Sequence, residues 1–578
     1  MRQSFEVGNF SFEYDSGDLF RLSWQGTEII QRAYVGVRDE NWNTIPAKIS
    51  NLLITHDKDS TSITFWAIHK YQNIDFSWSG EIVVNIYDDF YFKMNGKVES
   101  DFTYCKIGFN IHHGLTSYRN LEFTAQTIDQ DYRSTFEEDL IPQLVRNHVL
   151  TAMTPHYDKL KIQFPTFDAT FEFLGDRFEM QDHRNWSDAN WKSYGTPLEK
   201  GFPFYAISGQ VIDQEIRLTI TNSQKSLSSS IPKSPPKIRQ GILPAIGFLM
   251  LEIPTDAQLL NLKQLKPNHL RINLLSSSPD FEFLTLALGV ANEVGAKLEI
   301  GLFLNSQIQQ NELTQLLVPL VQNSQHIVRI LVLTEKTGYS AFQGASAPGL
   351  SAMVKKLVPK EIEIFSGTDQ FFSDINREMP NYSEIDGLVF ALNPQVHASD
   401  DLSVMQNASP IEDIAAYIRR KYDDPLISLS TVDLIGAGGP FPNGLAPRNG
   451  LAPYEDLRQQ NSFGAAWTLA MIAHATVAKI HAITFYEIAG NRGVMDLAGK
   501  PFPVFVLLRE IARLAESGFK LTGVQGSSDQ DSIAMKFSGG VRNVYLVANL
   551  CDSKKSLTNW GEFVMSLEPY EVRLSVSI

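Results

Sequence analysis

The stretch Lys479–Val494, KIHAITFYEIAGNRGV, reads as a β-rich run, Ile480 to Tyr486, that ends on a carboxylate, Glu487, and then breaks into a glycine-rich turn. A long helical pattern, Asp456 to Ala478, precedes it. Helix, strand, acid at the strand's carboxyl end and glycine-rich loop are the order that places chemistry on the C-terminal face of a (β/α) barrel. Upstream, short β-branched strands alternate with amphipathic helices from about Gly241. Candidate strands are Ala245–Leu249, His269–Leu274, Lys297–Leu304, Val328–Thr334, Glu361–Ser366, Gly387–Leu392, Leu426–Ser430 and Ile480–Tyr486. Eight such strands predict a TIM-like (β/α)8 barrel over residues 241–515.

The patterning on either side is different. From Phe5 to about Asn222 apolar residues recur at every second position, as in Phe10, Phe12 and Tyr14 or Ile74, Phe76 and Trp78. Such runs predict antiparallel sheets, so residues 1–222 are expected to form an N-terminal β-sandwich. The clearest helical signal there is the acidic segment near Phe136–Val145. Residues 223–240, rich in Ser, Pro and Lys, read as a linker. After a last helix at about Pro503–Ala515, alternation returns in Ser532–Phe537, Val544–Leu550, Phe563–Leu567 and Val572–Val576, which predicts a small C-terminal β domain over 516–578. The whole is a multidomain α/β chain.

Bulk properties exclude several functions. A chain of 578 residues exceeds one core. A net charge of −15 with no Lys/Arg block suits neither nucleic acid nor an anionic membrane. Cys105 and Cys551 give neither metal-ligand spacing nor a disulfide framework, which fits a reducing compartment. The alternating start lacks the apolar core of a signal peptide, and no run is long enough to span a bilayer. A cytoplasmic protein acting on a small molecule is expected; oligomeric state is not readable. No HxxxH, HxH or CxxC spacing, no GxSxG elbow and no phosphate loop occurs, so no metal or other cofactor is expected.

Candidate site residues follow from the strand ends. In HLRINL, Leu270, Ile272 and Leu274 share one parity and face the helices, so Arg271 and Asn273 point into the barrel. A buried arginine needs a carboxylate or a substrate beside it. Strand four runs into Glu335, Asp369 follows strand five, and strand six ends at Asn393 with His397 and Asp400 just beyond. Glu335 and Glu487 are the candidate acid/base pair, with His397 as a base in place of either. Tyr486 and Arg492, flanking Glu487, complete a substrate-binding set with Arg271, Asn273, Asp369 and Asn393. The long loop Thr431–Glu455 reads as a lid. In the first domain, Gln181–Tyr194, QDHRNWSDANWKSY, is dense in polar and aromatic residues. It is expected to reach the barrel mouth or to support loops that do, chiefly through Arg184 and Trp186.

The segments RDENWNT (Arg38–Thr44), FEMQDHRNWSDANWKSY (Phe178–Tyr194), HLRIN, GTDQFFSDINR, LNPQVHASDD, DLRQQNSFGAAWTLA, ITFYEIAGNRGV, VANL and LEPYEV occur in this order through all three regions. In them the chain resembles the D-apionate lactonases of bacterial apiose catabolism. It departs from that pattern at His183 and, beside the acid, at Ile488, Ala489 and Asn491. The resemblance implies hydrolysis of a branched-sugar lactone, D-apionolactone, to its acid. In such a reaction Glu487 or His397 would activate water, Arg271 or Asn393 would stabilise the oxyanion, and Glu335 would protonate the leaving ring oxygen. The alternative is a glycoside hydrolase using Glu335 and Glu487 as its carboxylate pair. A third reading is a carbohydrate-binding or scaffold protein that has lost activity, against which the several acids at the barrel mouth argue.

Overall fold

The computed structural model describes residues 2–146, 149–222, 238–335, 349–435, 455–527, 530–560 and 563–577. Most of the expected linker (223–237) and of the expected lid (436–454) lies outside them. The chain divides into two compact units. Among the described residues, the first holds those from 2 to 184 and from 189 to 222; the second holds 185–188 and those from 238 onward.

In the first unit, period-two patterning produces two large antiparallel sheets. One has eight strands in the order Gln3–Val7, Phe10–Asp15, Asp18–Trp24, Thr27–Asp39, Phe102–Gly114, Asn190–Tyr194 and Glu179–Asp182, with Phe204–Ala206 also pairing on Phe102–Gly114. The other has nine. Their inward residues, among them Phe10, Phe12, Val35, Phe109, Phe76, Phe92 and Phe171, merge into one apolar core, which makes this a β-sandwich. The acidic segment from Phe136 does not form the expected helix. Phe136 is buried in the core, and the carbonyls of Glu137, Glu138 and Asp139 accept hydrogen bonds from the Arg184 guanidinium, which replaces a helical ladder.

The second unit contains a closed barrel of eight parallel strands: β1 (Ala245–Leu249), β2 (His269–Leu275), β3 (Lys297–Leu304), β4 (Ile327–Thr334), β5 (Glu363–Gly367), β6 (Gly387–Leu392), β7 (Leu426–Val432) and β8 (Ala482–Ala489). They pair in sequence order, and β1 pairs with β8 to close the ring. The helix Ser462–Val477 is apolar on all sides and almost wholly buried, as a helix must be when it is covered on both faces. The same unit carries the small C-terminal β structure. A four-stranded antiparallel sheet uses Lys520–Gly526, Ser532–Gly539, Arg542–Asn549 and Val572–Ser577, and a separate hairpin joins Lys555–Trp560 to Phe563–Leu567. Among the described residues no helix is long and apolar enough to cross a membrane.

Candidate active site at the barrel mouth

The barrel interior is charged. Glu299 of β3 is fully buried and accepts hydrogen bonds from Ser430 Oγ (2.7 Å), Thr484 Oγ1 (2.7 Å) and Arg329 Nη1 (3.3 Å). Burial alone would raise its pKa. His269, Arg329 and Arg271 outweigh that and hold the carboxyl down at about 2. Arg271 of β2 reaches across the barrel, donating from Nη1 to Ser430 Oγ (2.7 Å) and from Nε to Asn273 Oδ1 (3.1 Å). Gly301 and Gly247, on the strands flanking β2, make room for this. A Cβ at Gly301 would stand 2.5 Å from Asn273 Oδ1 and 3.0 Å from Arg271 Nη2, and one at Gly247 would stand 2.3 Å from the His269 ring. Arg271 and Asn273 therefore do lie inside the barrel, and the charge of Arg271 is balanced first by Glu299, a residue the strand-end reading passed over.

Nearer the mouth a second cluster uses the same residue types in another ratio. Glu487 lies within β8, two residues before its end, instead of just after the strand. Tyr486 has φ +35° and is the extra residue of a bulge: Phe248 of β1 pairs with Phe485, but Leu249 pairs with Glu487. In regular alternation Tyr486 would share the inward side of Thr484. The bulge instead sends it outward, where its buried hydroxyl meets Thr468 Oγ1 (2.8 Å) on the helix Ser462–Val477, and turns Glu487 inward. Tyr486 thus points away from the mouth, contrary to the expectation that it binds substrate. Arg492 donates from Nε to Glu487 Oε1 (2.8 Å) and from Nη1 to the Ile435 carbonyl (3.0 Å), and its Nη2 stands 3.4 Å from Asp433 Oδ2. Asp433, directly after β7, is buried, and its Oδ1 has no hydrogen-bond partner among the described residues. Burial raises the pKa of both acids. For Glu487, Asp433 and Glu252 add to the rise against the opposing pull of Arg492. Asp433 was legible in principle, since it ends a strand as Glu335 does.

Glu335 sits in a different environment. Its Oε1 accepts from Ser276 Oγ (3.0 Å) and from the Ser277 N–H (2.8 Å), in the loop after β2. Burial pushes its carboxyl up, but these hydrogen bonds prevail and its pKa is lowered. The two expected partners are thus set in opposite directions, and Arg492 couples Glu487 to Asp433.

Beyond β6, His397 Nδ1 lies 2.6 Å from Asp188 Oδ2, and Asp188 Oδ1 accepts from Asn407 Nδ2 (3.2 Å). A carboxylate only accepts, so Nδ1 carries the proton and, in the neutral ring, Nε2 is the basic nitrogen. Trp186 packs edge-on to His397 with ring centroids 5.5 Å apart, and against Phe371 and Val396. Asn393 Oδ1 accepts from the Gln395 N–H (3.2 Å); Gln395 is in turn held by Asp456 and Arg458. Asp369 is half-buried beyond β5, close enough to Arg271 to favour its charged form. The Gln181–Tyr194 loop divides. Residues 185–188 belong to the barrel unit and supply Trp186 and Asp188. Arg184 does not serve as a ligand contact: it is fully buried in the first unit, where it pairs with Asp182 (2.7 Å) and the three carbonyls of Glu137 to Asp139.

A β-sandwich and a (β/α)8 barrel in one chain, with acids and arginines gathered at the carboxyl ends of the barrel strands, define a barrel enzyme. The D-apionate lactonase N-terminal domain matches residues 1–223, and the D-apionate lactonase TIM barrel domain matches residues 253–516. A D-apionate lactonase of Brucella anthropi is 23% identical over 553 residues, spanning 88% of this chain and 87% of its own. The chain belongs to the D-apionate lactonase family and is, with it, a hydrolase. Among solved structures, a GH30 endoxylanase from Clostridium papyrosolvens C71 gives a TM-score of 0.42 at 12% identity, over 60% of this chain and 98% of its own. A GalM/aldose epimerase homologue from C. elegans gives 0.25 at 8% identity, over 39% and 99%. Neither likeness bears on function.

Proposed function

We propose that the chain hydrolyses a sugar lactone of the D-apionolactone kind to the open aldonic acid, with Glu487 as the proton-transfer group. The observation that carries this reading is Glu487 itself, turned inward by a bulge and held at a raised pKa beside Arg492 and the buried Asp433. A carboxylate of raised pKa is a stronger base and, once protonated, can return the proton as a general acid. Water attacks the ring carbonyl while Glu487 takes its proton. The carbon–oxygen bond of the ring then breaks, and the proton passes from Glu487 to the leaving alkoxide. The product is a hydroxy acid, which ionises and releases one proton per turnover. Arg271, charged and pre-oriented by Ser430 and Asn273, supplies positive potential for the oxyanion. Asn393, Asp369 and Asn273 are polar groups of the mouth suited to sugar hydroxyls.

A second assignment of the base rests on the His397–Asp188 pair, whose 2.6 Å hydrogen bond fixes the imidazole tautomer that a general base requires. Glu335, held as an ionised acceptor, is assigned to binding and not to proton donation. The test is acid release over a panel of aldonolactones, run beside aryl glycosides. Proton release from a lactone without a new reducing end is expected. Cleavage of the glycosides with inert lactones would overturn the reading in favour of a glycosidase. The same data on Glu487→Gln and His397→Gln separate the two bases.

A further inference from the structure

The first unit carries a cavity of its own, of about 640 Å³, and every residue that lines it belongs to that unit. The volume lies in the range of small-molecule sites, roughly 300–1,000 Å³. One wall is the turn Thr127–Gln130 with Tyr132 behind it. The others are Thr151, Thr154 and His156, and three charged residues, Arg177, Glu179 and Glu199.

These walls are fixed by bonds of their own. Thr127 Oγ1 donates to the Gln130 carbonyl (2.6 Å) and accepts from its N–H (3.1 Å), which closes the turn. Thr154 Oγ1 accepts from the Met180 N–H (3.0 Å). Glu179 is buried, and its Oε1 accepts from the Tyr194 hydroxyl (2.6 Å) and the Leu198 N–H (2.7 Å). His156 stands between two carboxylates: its Nε2 is 3.4 Å from Glu179 Oε2 and its Nδ1 is 3.1 Å from Glu199 Oε1. The Glu179 contact is the first of the influences that raise the pKa of this imidazole, and Arg177 opposes it from nearby. A buried acid thus holds a histidine, and the histidine holds an acid whose side chain is 66% exposed. Pinning an exposed carboxylate costs side-chain entropy. What it gains here is a fixed acceptor at the cavity edge, because the ring takes only Oε1 and leaves Oε2 open to a donor.

The lining asks for a ligand of mixed character. Arg177 offers only donors; Glu199 and Asp129 offer only acceptors. Hydroxyl groups serve both. Tyr132, Ile128 and Pro155 add surface for carbon-bound hydrogens. Three acids against Arg177 and His156 disfavour an anion. We propose that this cavity binds a small neutral saccharide, with Arg177 donating to its oxygens, Glu199 and Asp129 accepting from its hydroxyls, and Tyr132 against its ring. His156 is a positioning residue that sets Glu199. The inference concerns the first unit alone and does not depend on the reaction assigned to the barrel.

The experiment is calorimetric titration of the full chain with three neutral glycosides, methyl β-D-xylopyranoside, methyl β-D-glucopyranoside and cellobiose, beside sodium D-glucuronate as the anionic counterpart. At least one neutral glycoside is expected to bind, and more tightly than glucuronate. Arg177→Met and Glu199→Gln each remove one charged hydrogen-bonding group from the cavity edge and should weaken that binding by at least about tenfold, the scale of one hydrogen bond to a charged group. Neither side chain is buried, so both variants should melt near the wild-type temperature. Loss of binding without loss of fold is then specific to the cavity. Failure of all three glycosides to bind, preference for glucuronate, or a loss below about tenfold in both variants overturns the proposal.

Discussion

Two carboxylate–arginine clusters lie along the same barrel, and their acids titrate in opposite directions. In the interior one carboxylate, Glu299, is surrounded by Arg271, Arg329, His269 and two hydroxyl donors, and its pKa is driven down to about 2. At the mouth one guanidinium, Arg492, is shared by two acids, Glu487 and Asp433, and both are raised. Residue types are the same; Glu299 and Asp433 are buried, and Glu487 is partly so. The ratio of cations to acids makes the difference: an excess of donors fixes a permanent anion, and a deficit leaves the carboxyls raised above their ordinary value. The interior cluster therefore holds Arg271 in place, and the mouth cluster is the one proposed to move protons.

The largest test of this division is Glu487→Gln. Gln keeps the shape and the contact with Arg492 but takes up no proton. Turnover should fall ~10²–10⁴-fold, the usual range for one general acid/base group, with the melting temperature nearly unchanged. A variant that keeps more than roughly a third of wild-type turnover lies outside that range and removes Glu487 from the mechanism. Glu299→Gln should do the reverse. It leaves Arg329 and Arg271 without their buried counter-charge, so stability should drop by about 3–5 kcal/mol, as when one partner of a buried pair is lost. Chemical denaturation measures this, and an unchanged midpoint would show that the interior network is not what balances Arg271.

Glu335→Gln sharpens the contrast at the mouth. Its carboxylate serves as an acceptor for Ser276 and Ser277, and the Gln carbonyl oxygen can replace it there. A loss below about tenfold is expected, the size of one neutral hydrogen bond. A loss as large as that of Glu487→Gln would restore Glu335 as a catalytic acid and favour the glycosidase reading.

How much of this was legible in the sequence depends on what each signal reports. Period and punctuation report backbone geometry, so the sandwich, the eight barrel strands in order and the C-terminal strands could be read, along with the inward parity of Arg271 and Asn273. Three kinds of information were not there. A bulge is one inserted residue, and nothing in ITFYEIA distinguishes Tyr486 facing in from Tyr486 facing out. Long-range pairing is invisible, so Glu299 read as an ordinary residue of KLEIGLFL although it balances two arginines from other strands. Local propensity also misled where a distant side chain takes the backbone's acceptors, as Arg184 does in the acidic segment after Phe136. The polar loop Gln181–Tyr194 drew attention for the right composition, but its arginine is internal, and Asp188 is the residue that meets His397.

The smallest expected effect is on the pH dependence of stability, where the two clusters pull against each other. Glu299 has a folded-state pKa of about 2, below the ~4.3 of an unfolded glutamate. Its contribution is complete above the unfolded value and disappears as pH falls toward the folded one. Glu487 is raised, so its folded form holds a proton that the unfolded chain has already released. Its contribution is greatest below the unfolded value and declines as pH rises through the folded pKa. Wild-type stability should therefore climb as pH rises to the unfolded carboxylate value and then fall back as pH rises through the raised pKa of Glu487. Glu487→Gln, which removes the opposing group, should leave the climb in place, abolish the later fall and raise the melting temperature slightly at neutral pH. In activity the same group gives the acid limb: as a base it works ionised, so kcat/KM should fall as pH drops through a pKa above the ordinary carboxylate value. Melting curves of the two proteins across the acid range, beside the wild-type rate profile, check both. Parallel melting curves, or a rate profile flat down to the ordinary carboxylate range, would mean that Glu487 titrates like a solvent-exposed acid, and the contrast between mouth and interior would then fail at its central residue.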